Sequence, residues 1–199
     1  MHPELYFIYD SHCPWSYATT PLVNALSESF PEMEIHHWHC AHYNGSDSPG
    51  FLQIKEVEKQ SKQKFGQEHV RYADSPKNST LAANFMTWLQ GKQPEKALSV
   101  LNALQIEHFV EGNPFGCKND FKALIEQFKL SPSNKVFKDE LSNEAQYQQS
   151  DIQELQEFMQ TTAFPALLLT YGDNALLLDH ARHLSKPQGL VKEVAKLLS

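Results

Sequence analysis

The first apolar run of the chain, Leu5-Tyr6-Phe7-Ile8-Tyr9, has no polar interruption, the pattern of a strand covered on both faces. A turn follows at Asp10-Ser11-His12, and Pro14 stands where the first turn of a helix tolerates proline. Trp15, Ala18, Leu22, Leu26 and Phe30 then recur at helical spacing. Pro21 falls inside that pattern and lacks the N–H that the Tyr17 carbonyl needs, so a kink is expected there, and Pro31 ends the helix. Residues 33–40 read as a second strand. A strand, a crossover helix and a strand in this order predict a parallel, right-handed unit. Both strand ends and the helix N-terminus then share one edge of the sheet, the edge where α/β proteins place their chemistry.

From residue 46 to residue 159 the period is helical. Leu81, Phe85, Trp88 and Leu89 form one stripe, and Ala97, Leu98, Leu101 and Leu104 form another after Pro94. Gly112-Asn113-Pro114 breaks the chain. Phe121, Leu124, Ile125 and Phe128 follow, and Ser131-Pro132 is read as the start of a further helix. Ser150 with Gln153 matches a capping box ahead of Ile152, Leu155, Phe158 and Met159. Strand patterning then returns at residues 165–171, opened by Pro165, and Gly172-Asp173-Asn174 turns the chain into the second arm of a hairpin at residues 175–178. Ser185 with Gln188 is a second capping-box pattern, before the closing stripe Leu190, Val191, Val194, Leu197 and Leu198. The expected order is β-α-β, a helical block, then β-β-α.

Composition narrows the function classes. Hydrophobic residues make up 41% of the 199, enough for a packed core. Seventeen Lys and Arg against 24 Asp and Glu give a net charge of −7 with no basic block, which argues against a nucleic-acid partner. No apolar run is long enough to span a bilayer. Three cysteines, Cys13, Cys40 and Cys117, are too few for a disulfide scaffold. The start Met1-His2-Pro3-Glu4 lacks the features of a secretory leader, so a reducing cytoplasm is the expected compartment.

The candidate chemistry is Cys13-Pro14-Trp15-Ser16. A thiol directly after a strand and at the start of a helix sits among unpaired backbone N–H groups and in the positive potential of the helix dipole. A free cysteine has a pKa of about 8.5, and such sites lower it to roughly 3.5–7.5. The expectation is therefore a thiolate nucleophile at Cys13, weighed against an ordinary buried thiol. His12 is either a charged neighbour of that thiolate or a solvent-facing turn residue. Trp15 is either a hydrophobic rim or core. Tyr17 either hydrogen-bonds in the cleft or fills space against the helical block.

His36, His37, His39 and His42 surround Cys40. On a strand, His37 and His39 share one face, with His36, Trp38 and Cys40 on the other. The spacing fits no closed zinc signature, so no metal is expected. His39 and His42 are read as walls of a substrate cleft. Cys40, near the end of the second strand, is a candidate redox partner for Cys13, and Cys117 receives no role.

Residues 9–17, Tyr-Asp-Ser-His-Cys-Pro-Trp-Ser-Tyr, together with Pro21, the long helical block and Thr162-Ala163-Phe164-Pro165-Ala166, resemble the DsbA-like branch of the thioredoxin superfamily. Within that branch the chain is similar to the cytoplasmic group of predicted protein-disulfide isomerases. The resemblance implies an α/β thioredoxin fold with a large helical insertion between the second and third strands: residues 1–45, an insertion at 46–159, and residues 160–199. It implies that Cys13 is the attacking sulfur and that Phe164-Pro165 is a cis-proline loop holding an extended thiol substrate, with His12, Pro14, Trp15 and Tyr17 lining the site. Ser16 stands where a dithiol member carries its second cysteine. It cannot take a leaving-sulfur role, but its hydroxyl can donate to the Cys13 sulfur. The activity implied is thiol-disulfide exchange or isomerisation through one cysteine, with protein or small-molecule thiols and disulfides as partners. No tightly bound cofactor is implied, and glutathione is a candidate co-substrate. Pro14, Ser16 and Tyr17 also match the kappa-class glutathione transferases and hydroxychromene carboxylate isomerases, which implies, as an alternative, glutathione chemistry on a small electrophile. A non-catalytic peptide-binding protein that uses the Pro165 loop is the third reading.

Overall fold

The computed structural model describes residues 2–199, so Met1, the first residue of the N-terminal stretch discussed above, lies outside the described residues. Strand β1 (Glu4–Tyr9) leads into helix α1 (Pro14–Ser29), and β2 (Glu34–His39) follows. Six helices intervene: α2 (Phe51–Gln60), α3 (Gln67–Arg71), α4 (Thr80–Lys92), α5 (Pro94–Phe109), α6 (Lys122–Gln127) and α7 (Asn143–Met159). The chain closes with β3 (Ala166–Tyr171), β4 (Asn174–Leu177) and α8 (Pro187–Leu197). The sheet order is β2-β1-β3-β4. β1 and β2 are parallel, with Tyr9 opposite His39, while β1–β3 and β3–β4 are antiparallel.

The strand alternation divides the core in two. Leu5, Phe7 and Tyr9 of β1 face a large cluster with Ala18, Leu22 and Leu26 of α1, Leu190 and Val194 of α8, and Phe85 and Leu101 of the inserted helices. Ile8, one residue out of phase, packs on the other face with Ile152 of α7, Ala166, Trp38, Cys40 and Phe164. The period of two sends successive side chains to opposite faces. An uninterrupted apolar strand is what two covered faces require.

Helix α1 runs through Pro21 without a break. The Tyr17 carbonyl, left without its helical donor, accepts from Gln63 Nε2 at 3.0 Å. An inserted residue thus satisfies the group that the proline orphans.

Three local expectations are corrected. Residues 131–132 start no α-helix, and only a short 3-10 turn forms at Asn134–Val136. Ser150 is not a cap but lies inside α7, whose cap is Ser142, eight residues earlier, with its side chain accepting from Ala145 N. The polar first half of α7 has few apolar positions to signal a helix. Gln148 and Gln149 hold it instead, through Gln148 Oε1 accepting from His39 N at 2.9 Å and Gln149 Nε2 donating to His39 O at 2.8 Å. Ser185 caps nothing either: α8 begins at Pro187 after Lys186, with no side-chain cap. Proline at the first helical position needs no donor there.

The turn before α3 is tightly built. Gly66 N donates to Phe109 O at 2.9 Å, and a Cβ added at Gly66 would overlap the carbonyl of Val110. Gly66→Ala is therefore expected to destabilise the protein by roughly 3 kcal/mol through overpacking, read as a lower urea midpoint. A change under about 0.5 kcal/mol, the ordinary surface range, would mean that this turn does not press on the end of α5.

Candidate active site

The end of β1, the end of β2, the start of β3 and the N-terminus of α1 meet at one edge of the sheet. Ile8 pairs with Ala166, so extending the antiparallel register by one residue sets Pro165 opposite Tyr9, four residues before Cys13. The Phe164–Pro165 peptide is cis. His42, just after β2, lays its ring against Phe164 at 4.7 Å.

Cys13 is the N-cap of α1, with extended backbone angles, and Pro14 follows in the first turn. Its N–H donates to Asp10 O at 3.1 Å, closing the turn out of β1. Only 3% of the residue is exposed. Ser16 is buried, and its Oγ accepts from Asp10 N at 3.2 Å, which leaves the hydroxyl proton free for the Cys13 sulfur. Burial pushes the Cys13 thiol up to about 11, aided by the charge of Asp10 and opposed by the Ser16 N–H and hydroxyl and the Trp15 N–H. Of the two readings this favours the ordinary buried thiol over a resting thiolate: the donors of the helix start are present, but loss of water and a nearby carboxylate act against them.

Asp10 is the residue that sequence reasoning missed. It is fully buried. One oxygen accepts from His12 N at 2.8 Å; the other accepts from His42 N at 2.7 Å, Tyr43 N at 3.2 Å and Ser79 Oγ at 2.7 Å. Three segments are tied to one carboxylate: the nucleophile turn, the segment after β2 and the start of α4. Burial alone would raise its pKa. The His39 and His12 imidazoles and the His12 N–H and Ser79 hydroxyl bonds outweigh that, and the carboxyl lies below the usual range. The available signal was an acidic residue placed directly after a strand buried on both faces.

The histidines sit deeper than expected. His39, read as a cleft wall, is fully buried. Ala41 N donates to its Nδ1 at 3.0 Å, Ser11 N donates to its Nε2 at 3.1 Å, and Ser11 Oγ lies 2.8 Å from the same Nε2. Ser11 Oγ in turn donates to His12 Nδ1 at 2.9 Å, and His12 Nε2 donates to Pro114 O at 3.2 Å. His12 is neither solvent-facing nor a charged neighbour of the thiol. It is fully buried, burial lowers its pKa, and its ring lies 4.0 Å from that of His108. His69 of α3 packs on His108 at 4.9 Å. His69 and His108 also went unnoticed in the sequence, because each sits on a helix with nothing adjacent to mark it. His42 alone of the expected cleft histidines is exposed.

Of the two readings of Tyr17 the second fits: it stacks on Phe109 of α5 at 4.7 Å and meets Phe65 edge-on at 5.6 Å, filling space against the inserted helices. Trp15 is half-buried against the large cluster. Cys40 is half-buried, and Cys117 is exposed, its thiol donating to Asp120 Oδ1 at 3.4 Å. Among the described residues no group of three or more His, Cys, Asp or Glu side chains is arranged to hold a metal ion. No helix among them is long and apolar enough to cross a membrane.

No family model matches the sequence, and no curated protein matches it. Solved structures do match. The cytosolic disulfide reductase DsbM from Pseudomonas aeruginosa superposes with a TM-score of 0.84 at 17% identity over 98% of both chains. Its structure with GSH gives 0.82. The chain has the DsbA-like thioredoxin fold. A proposed protein disulfide isomerase from Nitrosomonas europaea gives 0.75 at 16% identity over the full length of both chains. A 2-hydroxychromene-2-carboxylate isomerase gives 0.59 at 14% identity over 98% of this chain and 100% of the other. In this DsbA-like fold the segment from Asp10 to Ser16 and the cis Phe164-Pro165 peptide flank one sheet edge, with the helical insertion between β2 and β3.

Proposed function

We propose that the chain is a thiol-disulfide oxidoreductase or isomerase that works through Cys13 as its attacking sulfur. The observation that carries this reading is the placement of Cys13 at the first turn of α1, on the sheet edge that also holds the cis Phe164-Pro165 peptide. Likeness in fold to a cytosolic disulfide reductase, also solved with GSH, supports it, and supports glutathione as a partner and a reducing cytoplasm as the compartment. The division into residues 1–45, an insertion at 46–159 and residues 160–199 belongs to the same proposal.

In the proposed reaction the Cys13 thiol gives up its proton and the thiolate attacks one sulfur of a substrate disulfide. The substrate S–S bond breaks, one substrate sulfur leaves as a thiolate and takes up a proton, and a mixed disulfide remains on Cys13. Ser16 steadies the developing charge on the sulfur through its hydroxyl and N–H. Phe164 and Pro165 hold the substrate backbone, and His42 and Trp15 edge the site. Ser16 cannot resolve the mixed disulfide, so a second thiol must attack it.

A resting pKa of about 11 makes the expected pH dependence steep. The thiolate fraction rises about tenfold per pH unit below the pKa, while each thiolate of a weakly acidic thiol is a stronger nucleophile. A protein with Cys40 and Cys117 changed to serine keeps Cys13 as its only thiol. Oxidised glutathione is expected to add one glutathionyl group to it, about tenfold faster per unit from pH 7 to 10, followed by intact mass. No adduct anywhere in that range would remove the oxidoreductase reading and leave a peptide-binding fold. The glutathione-dependent isomerase reading is less favoured, because Tyr17, one of the three residues it draws on, is stacked on Phe109 inside the core.

A further inference from the structure

We propose that Cys40 is the resolving thiol of Cys13, so that the cysteine missing from position 16 is supplied across the sheet edge by the end of β2. This rests on the oxidoreductase reading and deepens it.

The backbone brings both cysteines to Asp10. Cys40 N donates to Tyr9 O at 2.7 Å, which carries the parallel ladder one residue past the Tyr9–His39 pair and sets Cys40 beside Asp10. Neighbouring strands lie about 4.8 Å apart. From the other side, Cys13 N closes on Asp10 O at 3.1 Å, a turn that holds the first and fourth Cα atoms within about 7 Å. A disulfide asks for Cα atoms about 4.4–6.8 Å apart; the two spans together set the pair no more than about 12 Å apart, so the bond requires the turn to close toward the end of β2.

The side chain of Cys40 packs on the face of Ile8, Ile152 and Ala166, the face that also carries Phe164 of the cis-proline loop. The segment that follows is pinned: Ala41 adopts a left-handed φ of 46°, and His42 N and Tyr43 N are both held by Asp10. Charge on Cys13 acts on Cys40, and both sulfurs act on Tyr43, which places the three groups near one another.

The step balances as an exchange. The Cys40 thiol loses its proton, its sulfur attacks Cys13 of the mixed disulfide, and the Cys13–substrate S–S bond breaks. The second substrate thiol leaves with a proton, and a Cys13–Cys40 disulfide forms. The substrate disulfide is reduced by two electrons, the cysteine pair is oxidised by two, and a glutathione-type thiol pair returns the protein to its reduced state.

The test compares Cys117→Ser with the pair Cys117→Ser, Cys40→Ser, and with Cys40→Ala as a second replacement, each treated with oxidised glutathione at pH 8.5 and followed by intact mass and peptide mapping. In Cys117→Ser the adduct is expected to be transient. It gives way to a species two hydrogens lighter than the reduced protein, with residues 13 and 40 joined in one peptide pair. Removing Cys40 is expected to lengthen the life of the adduct by at least about tenfold, the least an intramolecular thiol adds over dilute external thiol. An adduct equally stable with and without Cys40 would overturn this proposal and leave the monothiol reading standing. No adduct in any variant would sink both.

Discussion

Asp10→Ala is expected to remove about 3–5 kcal/mol of stability, the range seen when a buried, multiply bonded charged group loses its partners. The carboxylate takes four hydrogen bonds at 2.7 to 3.2 Å, three of them from backbone N–H groups. Alanine leaves His12 N, His42 N, Tyr43 N and Ser79 Oγ without that acceptor in a site closed to water, and each unsatisfied group costs about 1–3 kcal/mol. Relief of the burial cost of the charge returns part of this, which keeps the net figure below the sum. Asn is milder. Its carbonyl can take the oxygen position that serves His42, Tyr43 and Ser79, and only the His12 N–H then faces an amide donor. Urea unfolding should rank wild type above Asn and Asn above Ala. Equal midpoints for Ala and wild type would mean that water replaces the carboxylate and that Asp10 is no hub.

The second large effect is acid sensitivity well above the carboxylate range. Burial holds His37, His39 and His69 at about 4, lowers His12, and holds His108 well below the ordinary value. In the unfolded chain these side chains titrate near 6.5. Above that pH neither state binds the protons, and the stability is whole. Between about 6.5 and 4 the unfolded chain takes up protons that the folded chain refuses, so stability falls as pH falls, by up to about 1.4 kcal/mol per pH unit for each histidine. Asp10 beside His12 and His39, Gln90 at His37 and backbone bonds at His69 and His108 offset only part of this, and the Nε2 atoms of His37, His69 and His108 are buried with no partner. Together these histidines draw down a large share of a native stability of roughly 5–15 kcal/mol as the pH falls below 6.5. Urea midpoints at pH 7.5, 6.5 and 5.5 should drop steeply over the last step. A flat profile down to pH 5 would show that these imidazoles are solvated or paired.

Both predictions concern residues whose burial and partners did not show in the sequence, and the reason is the same for each. Cys13, Pro14 and Ser16 announced themselves because strand, turn and helix signals are local, and a thiol at their junction has a local physical meaning. The cis Phe164-Pro165 peptide and the edge it shares with β1 followed from resemblance and from the order of the elements. Asp10, His69, His108, Ser79 and Gln148 have no such local context. Their partners lie on other elements: His12 meets Pro114 and His108, and His39 meets Ser11 and Gln148. The cleft readings of Tyr17 and His39 arose for the converse reason. A polar aromatic side chain near a nucleophile reads as a site residue until a distant segment, here Phe109 or Gln148, is found covering it.

The residues themselves determined the order of strands and helices, the parallel β1–β2 unit, the hairpin and the seat of Cys13 at a helix start, because hydrophobic period, proline placement and turn chemistry act within a few residues. The charge state of that cysteine was left to the tertiary structure. Whether a thiol ionises depends on how much water reaches it and which charges stand nearby. Here burial and the Asp10 carboxylate, which His42, Tyr43 and Ser79 from other segments hold beside the helix start, raise the cost of a negative charge on the sulfur beyond what the helix start returns.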